Sequence, residues 1–331
     1  MSVSSTKADR NRDDRRDRLV GFGLAALAAM CWATGGLAAK WLFTPLDSST
    51  ALWPIPPLGI VIDPVMLSAS RAMLAFAMLF VYVVTARRGA LKVRAKDLPF
   101  LGFFGIAGLA LVHFTYFKTI SLTSVATAIL LEYLAPIIVL IVSVAVLRDR
   151  FTWSLPVSVG LSVTGCALVV GAIGGTGLVV SPAGLFWGVA SAVFFAGYTL
   201  MGRWAAHRFS SWTLLTYGLG AATLFWWAVL GGPGPVFASL RDGRTLAAVT
   251  FIAFTSTVVP FGAFLKALRY IRATEASVTS TLEPVLAALV AWALFRESLT
   301  LAQMLGGLLV LAAILVSQMS STATAELPPA N

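Results

Sequence analysis

Ten runs of predominantly apolar residues divide the chain: 19–43, 64–85, 98–119, 121–147, 152–171, 181–205, 212–230, 246–267, 274–295 and 300–319, with short polar gaps between them. A helix rises about 1.5 Å per residue, so ~20 apolar residues are enough to cross a bilayer. In lipid every backbone N–H and C=O must be paired within the protein, which leaves the helix as the natural form of such a run. The runs predict an all-α integral membrane protein of ten transmembrane helices. Composition points the same way. The chain is 58% hydrophobic and 11% charged, against about 25% charged in a soluble domain, so its surface cannot all meet water. The longest gap, 44–63, is too short for a soluble domain. The first run is also too long for the core of a cleaved leader.

Basic residues set the orientation. With the N-terminus in the cytoplasm, 18 Lys and Arg residues fall on the inside and four, Lys118, Arg241, Arg244 and Arg296, on the outside. Both termini are therefore expected in the cytoplasm, in a multi-pass protein of the cell membrane. The net charge of +10 lies in short blocks beside the apolar runs. Orientation and anionic headgroups explain such blocks better than nucleic acid does. The ends, 1–18 and 320–331, read as cytoplasmic tails without fixed structure. Cys31 and Cys166 both sit in apolar runs and provide neither a disulfide framework nor metal-ligand spacing. No cofactor is implied.

The chain repeats itself. A shift of 148 residues lays "PIIVLIVSVAVLRDRFT", starting at Pro136, over "PVLAALVAWALFRESLT", starting at Pro284, and Phe117 and Lys118 over Leu265 and Lys266. A shift of 163 pairs Trp32 with Phe195 and Lys40 with Arg203. The 15-residue difference reads as extra sequence in the first half, in the 44–63 gap. The two units, 19–171 and 181–319, each hold five runs. An odd number of crossings inserts the second unit upside down relative to the first. Inverted-topology repeats of this kind recur in secondary transporters.

The stretches "TAILLEYLAPIIVLIVSVAVLRDRFT" and "ASVTSTLEPVLAALVAWALFRESLTLAQMLGGLLVLAAIL", with "CWATGGLAAK" at the end of the first run, resemble the drug/metabolite transporter superfamily, EamA type. The resemblance extends over roughly 20–318. It implies a ten-helix carrier, often an exporter of amino acids or related small metabolites. The long 44–63 connection departs from the usual short one.

Within this frame the intramembrane polar residues are candidates for a solute site. Glu132 and Glu283 each lie about 3 Å or less from the middle of their runs. A carboxylate there must face protein or a watery cavity, or hold a proton. Pro136 and Pro284 free the carbonyls one turn earlier, at Glu132 and Ser280, and freed carbonyls persist only with a partner or beside a cavity. Glu132, whose counterpart is Ser280, is a candidate proton carrier or binder of an amine. Glu283 could equally satisfy an arginine or a backbone donor. His113, Tyr116 and Phe117 share a face of the third run. His113 could bind solute or titrate, or be a buried, hydrogen-bonded histidine. Trp32 and Lys40 share a face of the first run, although Lys40, about 13 Å from its middle, can snorkel to the interface. Arg71, about 4 Å from the middle of the second run, needs an acid partner or a substrate carboxylate. Tyr133 and Tyr198 could offer hydroxyls to a ligand or simply pack. Glu275 reads as a helix cap. Gly102, Gly105, Gly108, Gly306 and Gly307 read as points of close helix approach.

These features predict a secondary-active transporter for a small solute, with proton coupling as an option. Two other classes were weighed. An intramembrane lipid-modifying enzyme or protease would need clustered catalytic groups. There is no His-Glu-x-x-His pattern, no Gly-x-Ser-x-Gly elbow, no paired intramembrane aspartate and no Walker A sequence. A structural or sensory subunit would not need inverted halves with matched midplane breaks.

Overall fold

The computed structural model describes residues 2–43, 59–123, 125–149, 151–173, 181–295 and 300–325, and among these there is no strand. The helices are α1 Ser2–Phe43, α2 Pro64–Ala86, α3 Leu98–Gly105, α4 Leu111–Leu122, α5 Val125–Glu132, α6 Ala135–Ala145, α7 Ser154–Val169 and α8 Pro182–Ala206. They continue with α9 Ser211–Val229, α10 Gly234–Ser239, α11 Gly243–Ala253, α12 Val259–Ala267, α13 Ala273–Ser280, α14 Leu282–Phe295 and α15 Leu301–Ala325. All ten apolar runs coincide with helix. Seven stretches are long and apolar enough, by length and composition, to cross a membrane.

Starts follow the local chemistry. Asp63 accepts from the Val65 and Met66 amides with Pro64 at the first helical position of α2, and Ser181 accepts from Gly184 with Pro182 opening α8. A short acceptor side chain at the cap and a proline with its φ already fixed are what an N-terminus favours. Glu275 closes a capping box: its carboxylate accepts from the Arg272 amide at 2.8 Å and pairs with the Arg272 guanidinium at 2.9 Å.

Two helix pairs are joined through a single π-helical turn. Ile106–Ala110 links α3 to α4, and Phe254–Val258 links α11 to α12. The two turns lie 148 residues apart, the offset that superimposes Pro136 on Pro284. The same offset places α5 on α13, both eight residues long and both ended by a break. The halves thus share their irregularities as well as their sequence.

The principal packing joins one half to the other: α1 lies on α12 and α14, α2 on α9 and α11, α4 on α8, and α7 along α15. The last pair meets at glycine. A Cβ on Gly165 would stand 2.8 Å from the Gly306 carbonyl, and one on Gly306 2.6 Å from the Gly165 carbonyl. Gly105 is pressed on the Gly218 backbone in the same way, whereas Gly102 faces open space. Large apolar side chains such as Phe103, Phe186, Trp292 and Leu308 stay exposed on the outside, as a lipid-facing surface requires.

The tails differ from expectation. α1 begins at Ser2, so the basic stretch continues the first membrane helix outward. Its Arg and Lys residues are good helix formers, and Asp14 and Arg18 have the four-residue spacing that favours a helix. α15 likewise runs on to Ala325, because no glycine or proline interrupts the sequence before Pro328. Arg18 donates to the Gln318 carbonyl at 3.1 Å, so the first and last helices meet at this point.

Candidate functional site

The polar interior is organised by the two breaks. α5 stops at Glu132 and α6 starts at Ala135; α13 stops at Ser280 and α14 starts at Leu282. Pro284 has no N–H to give the Ser280 carbonyl. The Tyr133 hydroxyl takes that place, 2.8 Å from Ser280 O, and also lies 2.7 Å from Glu283 Oε2. A phenol carries one hydrogen and can donate it to one of these oxygens. Both contacts are satisfied together when Glu283 supplies a second hydrogen. Glu132, at the other break, is hydrogen-bonded by the Ser191 hydroxyl of α8.

The second π-turn supplies acceptors to the same region. Arg71 of α2 is 5% exposed, and it donates from Nε to Thr257 Oγ1 at 2.5 Å and from Nη2 to the Ser256 carbonyl at 2.7 Å. Its guanidinium lies over the Phe117 ring, 5.2 Å from the centroid. His113, three residues past the first π-turn, is 7% exposed, and its Nε2 has no partner. A π-turn leaves its carbonyls out of the ordinary i to i+4 register, which is why such turns collect at functional sites.

Trp32, Arg71, His113, Tyr116, Glu132 and Glu283 all line one cavity. Its volume is about 80 Å³, several times what a single water needs. Both carboxyls thus border a void. Tyr133 stands beside this lining through its bond to Glu283. Tyr198 lies behind the wall, fully buried among Phe104, Phe195 and Phe261, with its hydroxyl 3.1 Å from the Phe261 carbonyl. The side chain of Lys40 lies outside the described residues.

Further lining residues, Gly35, Phe195, Ser256 and Phe261 among them, carry no local sequence signal of a site. Two of them were within reach of the repeat. Phe195 is the counterpart of Trp32 and Phe261 that of His113, and each counterpart pair is in ring contact, at 5.8 Å and 4.7 Å between centroids. Gly35 has a steric reason: a Cβ there would collide with the Ser256 side chain. This glycine lets α1 approach the second π-turn.

Seven apolar spans among the described residues, with a buried polar cavity between them, define a polytopic membrane protein. The sequence matches the EamA-like transporter family over residues 57–171 and 182–319, and the chain belongs to that family. It is 26% identical over 299 residues to YicL, an uncharacterized inner membrane transporter of Salmonella typhimurium, covering 89% of this chain and 94% of that one. It is 29% identical over 218 residues to an uncharacterized transporter of Archaeoglobus fulgidus, covering 64% of this chain and 75% of the relative. A solved crystal structure with 21% identity superimposes with a TM-score of 0.68 over 92% of this chain and 99% of its own. That last likeness speaks to the fold alone.

Proposed function

We propose that this membrane transporter works by alternating access. In this reading it has ten crossings in two five-helix units of inverted topology, 19–171 and 181–319, with both termini cytoplasmic. It exports a small metabolite such as an amino acid or a related amine or organic acid, with Glu132, aided by His113, carrying the proton if transport is coupled. The observation that carries this reading is the cavity itself, which takes a carboxyl from each half and a buried arginine.

Three relationships support the symmetry. The π-turns and the breaks recur at one offset. Counterpart residues touch each other at Trp32 and Phe195 and at His113 and Phe261. A residue meets its own equivalent only close to the axis relating the two copies. The contact of Arg18 with Gln318, between the first and last helices, agrees with an even number of crossings. Two near-equivalent halves can exchange conformations, so that one arrangement opens the cavity inward and its mirror outward.

The test is flux through purified protein in liposomes. Saturable solute flux, reduced in Glu132→Gln or altered in its pH dependence while insertion is kept, agrees with the reading. Absence of flux with any metabolite pool, together with turnover of a lipid, would favour the intramembrane enzyme instead.

A further inference from the structure

Arg71 is a buried cation in the cavity wall, and its partners there are neutral. The two ion pairs among the described residues, Arg94 with Asp97 and Arg272 with Glu275, do not include it. Its contacts are a threonine hydroxyl, a backbone carbonyl and an aromatic face. None of these offsets a full charge inside a membrane, where an uncompensated guanidinium is costly to keep. Glu132 lines the same cavity but is engaged by Ser191 and makes no ion pair with Arg71. The cavity therefore holds its cation and its acid without pairing them.

The geometry narrows what could complete Arg71. Thr257 and Ser256 occupy the side fork of the guanidinium, Nε with Nη2. The end fork, Nη1 with Nη2, is the remaining pair of parallel donors, and such a pair matches the two oxygens of a carboxylate. The Ser256 hydroxyl lines the cavity as well, and it is buried without a partner. His113 Nε2 is the other unpartnered buried polar atom of the lining. The lining thus offers the donors of Arg71 and the Ser256 hydroxyl beside the carboxyl of Glu132.

We propose that Arg71, assisted by the Ser256 hydroxyl, is the recognition point for a carboxylate on the transported solute, with Glu132 left to accept from a hydrogen-bond donor elsewhere on that solute. This proposal rests on the transporter reading above. A doubly charged phosphate suits the cavity less well, because Glu132 and Glu283 line it too.

The experiment is a thermal-shift screen of the purified full-length protein in detergent. The probes are matched sets: small aliphatic and aromatic amino acids and hydroxy acids, their primary amides, their decarboxylated amines, and phosphate monoesters with inorganic phosphate. Carboxylates should stabilise the protein saturably. The amide and the decarboxylated amine of the best ligand should bind at least tenfold more weakly. Arg71→Gln should remove that discrimination, leaving acid and amide equal, and Arg71→Lys, which keeps the charge but not the fork, should fall between. Stabilisation by no member of the screen, equal binding of acid and amide by the wild type, or preference for phosphate overturns the proposal, and none of these needs a variant to fold. Flux separates it from the broader reading. Saturable flux indifferent to the carboxylate sinks the Arg71 subsite alone, whereas carboxylate-selective binding without flux sinks transport and leaves the subsite standing.

Discussion

The Tyr133 hydroxyl lies 2.8 Å from the main-chain oxygen of Ser280, the carbonyl that Pro284 leaves without a helical donor. A side chain at the first-half break thereby closes the open hydrogen bond of the second-half break. Tyr133→Phe keeps the ring and removes the donor. An unpaired buried carbonyl costs about 1–3 kcal/mol, so this variant is expected to unfold at lower temperature in detergent. An unchanged midpoint would mean that Ser280 finds its partner elsewhere.

Glu283 and Tyr133 make a sharper comparison. If the carboxyl supplies the second hydrogen of the pair, glutamine mimics it, because its amide N–H can donate to the phenol oxygen. Glu283→Gln should then be as stable as the wild type or more so, while Glu283→Ala, which strands the phenol, falls about 1–3 kcal/mol lower. Equal losses in the two variants would show that an ionised carboxylate is what the site requires.

Gly35 marks where α1 touches the second π-turn. A methyl there would strike the Ser256 side chain and push α1 away from the residues that hold Arg71. Gly35→Ala should lose about 1–3 kcal/mol by overpacking and weaken solute flux. The double variant Gly35→Ala with Ser256→Gly should recover stability without recovering full flux, because Ser256 also lines the cavity. A single variant with wild-type stability and flux would refute the close approach.

Asp242 caps α11 outside the cavity. It accepts from the Thr245 amide and hydroxyl, each at 2.9 Å, and these bonds, the amide first, hold its carboxyl below the ordinary aspartate range. A depressed folded value means the contribution is complete above the unfolded pKa and is lost as pH falls through the folded one. In hydrogen exchange, the Thr245 amide should be better protected in the wild type than in Asp242→Ala at neutral pH. The gap should close as the medium is acidified below the carboxylate range. A gap that persists in strong acid would contradict this.

Much of this arrangement is legible in the sequence, because bilayer thickness and hydrogen-bond satisfaction leave an apolar run few choices. The described parts of the ten runs are mainly helical, and Pro136 and Pro284 each mark a break one turn earlier. Trp32, Arg71, His113, Tyr116, Glu132 and Glu283 converge because intramembrane polar groups avoid lipid, a constraint readable one residue at a time. What stays hidden is what requires contact between distant helices. Nothing in "IAGLA" or "FTSTV" announces a π-turn, since neither stretch carries a proline or a charged residue whose spacing would betray one extra residue. The Ser256 and Thr257 acceptors for Arg71 come from the opposite half, 185 and 186 residues away. Tyr133 and Tyr198 look alike as buried phenols, and only packing sends one to Glu283 and the other behind the wall.

Access to the cavity from the two sides of the membrane tests the central claim most directly. Val112 is 3% exposed, lines the cavity and is close to cysteine in size. With Cys31 and Cys166 replaced, a single Val112→Cys thiol can be probed in oriented vesicles with an impermeant maleimide added to either face. The account predicts labelling from both faces, slowed from both by a transported solute. Labelling from one face only, unchanged by any solute or pH, would contradict it.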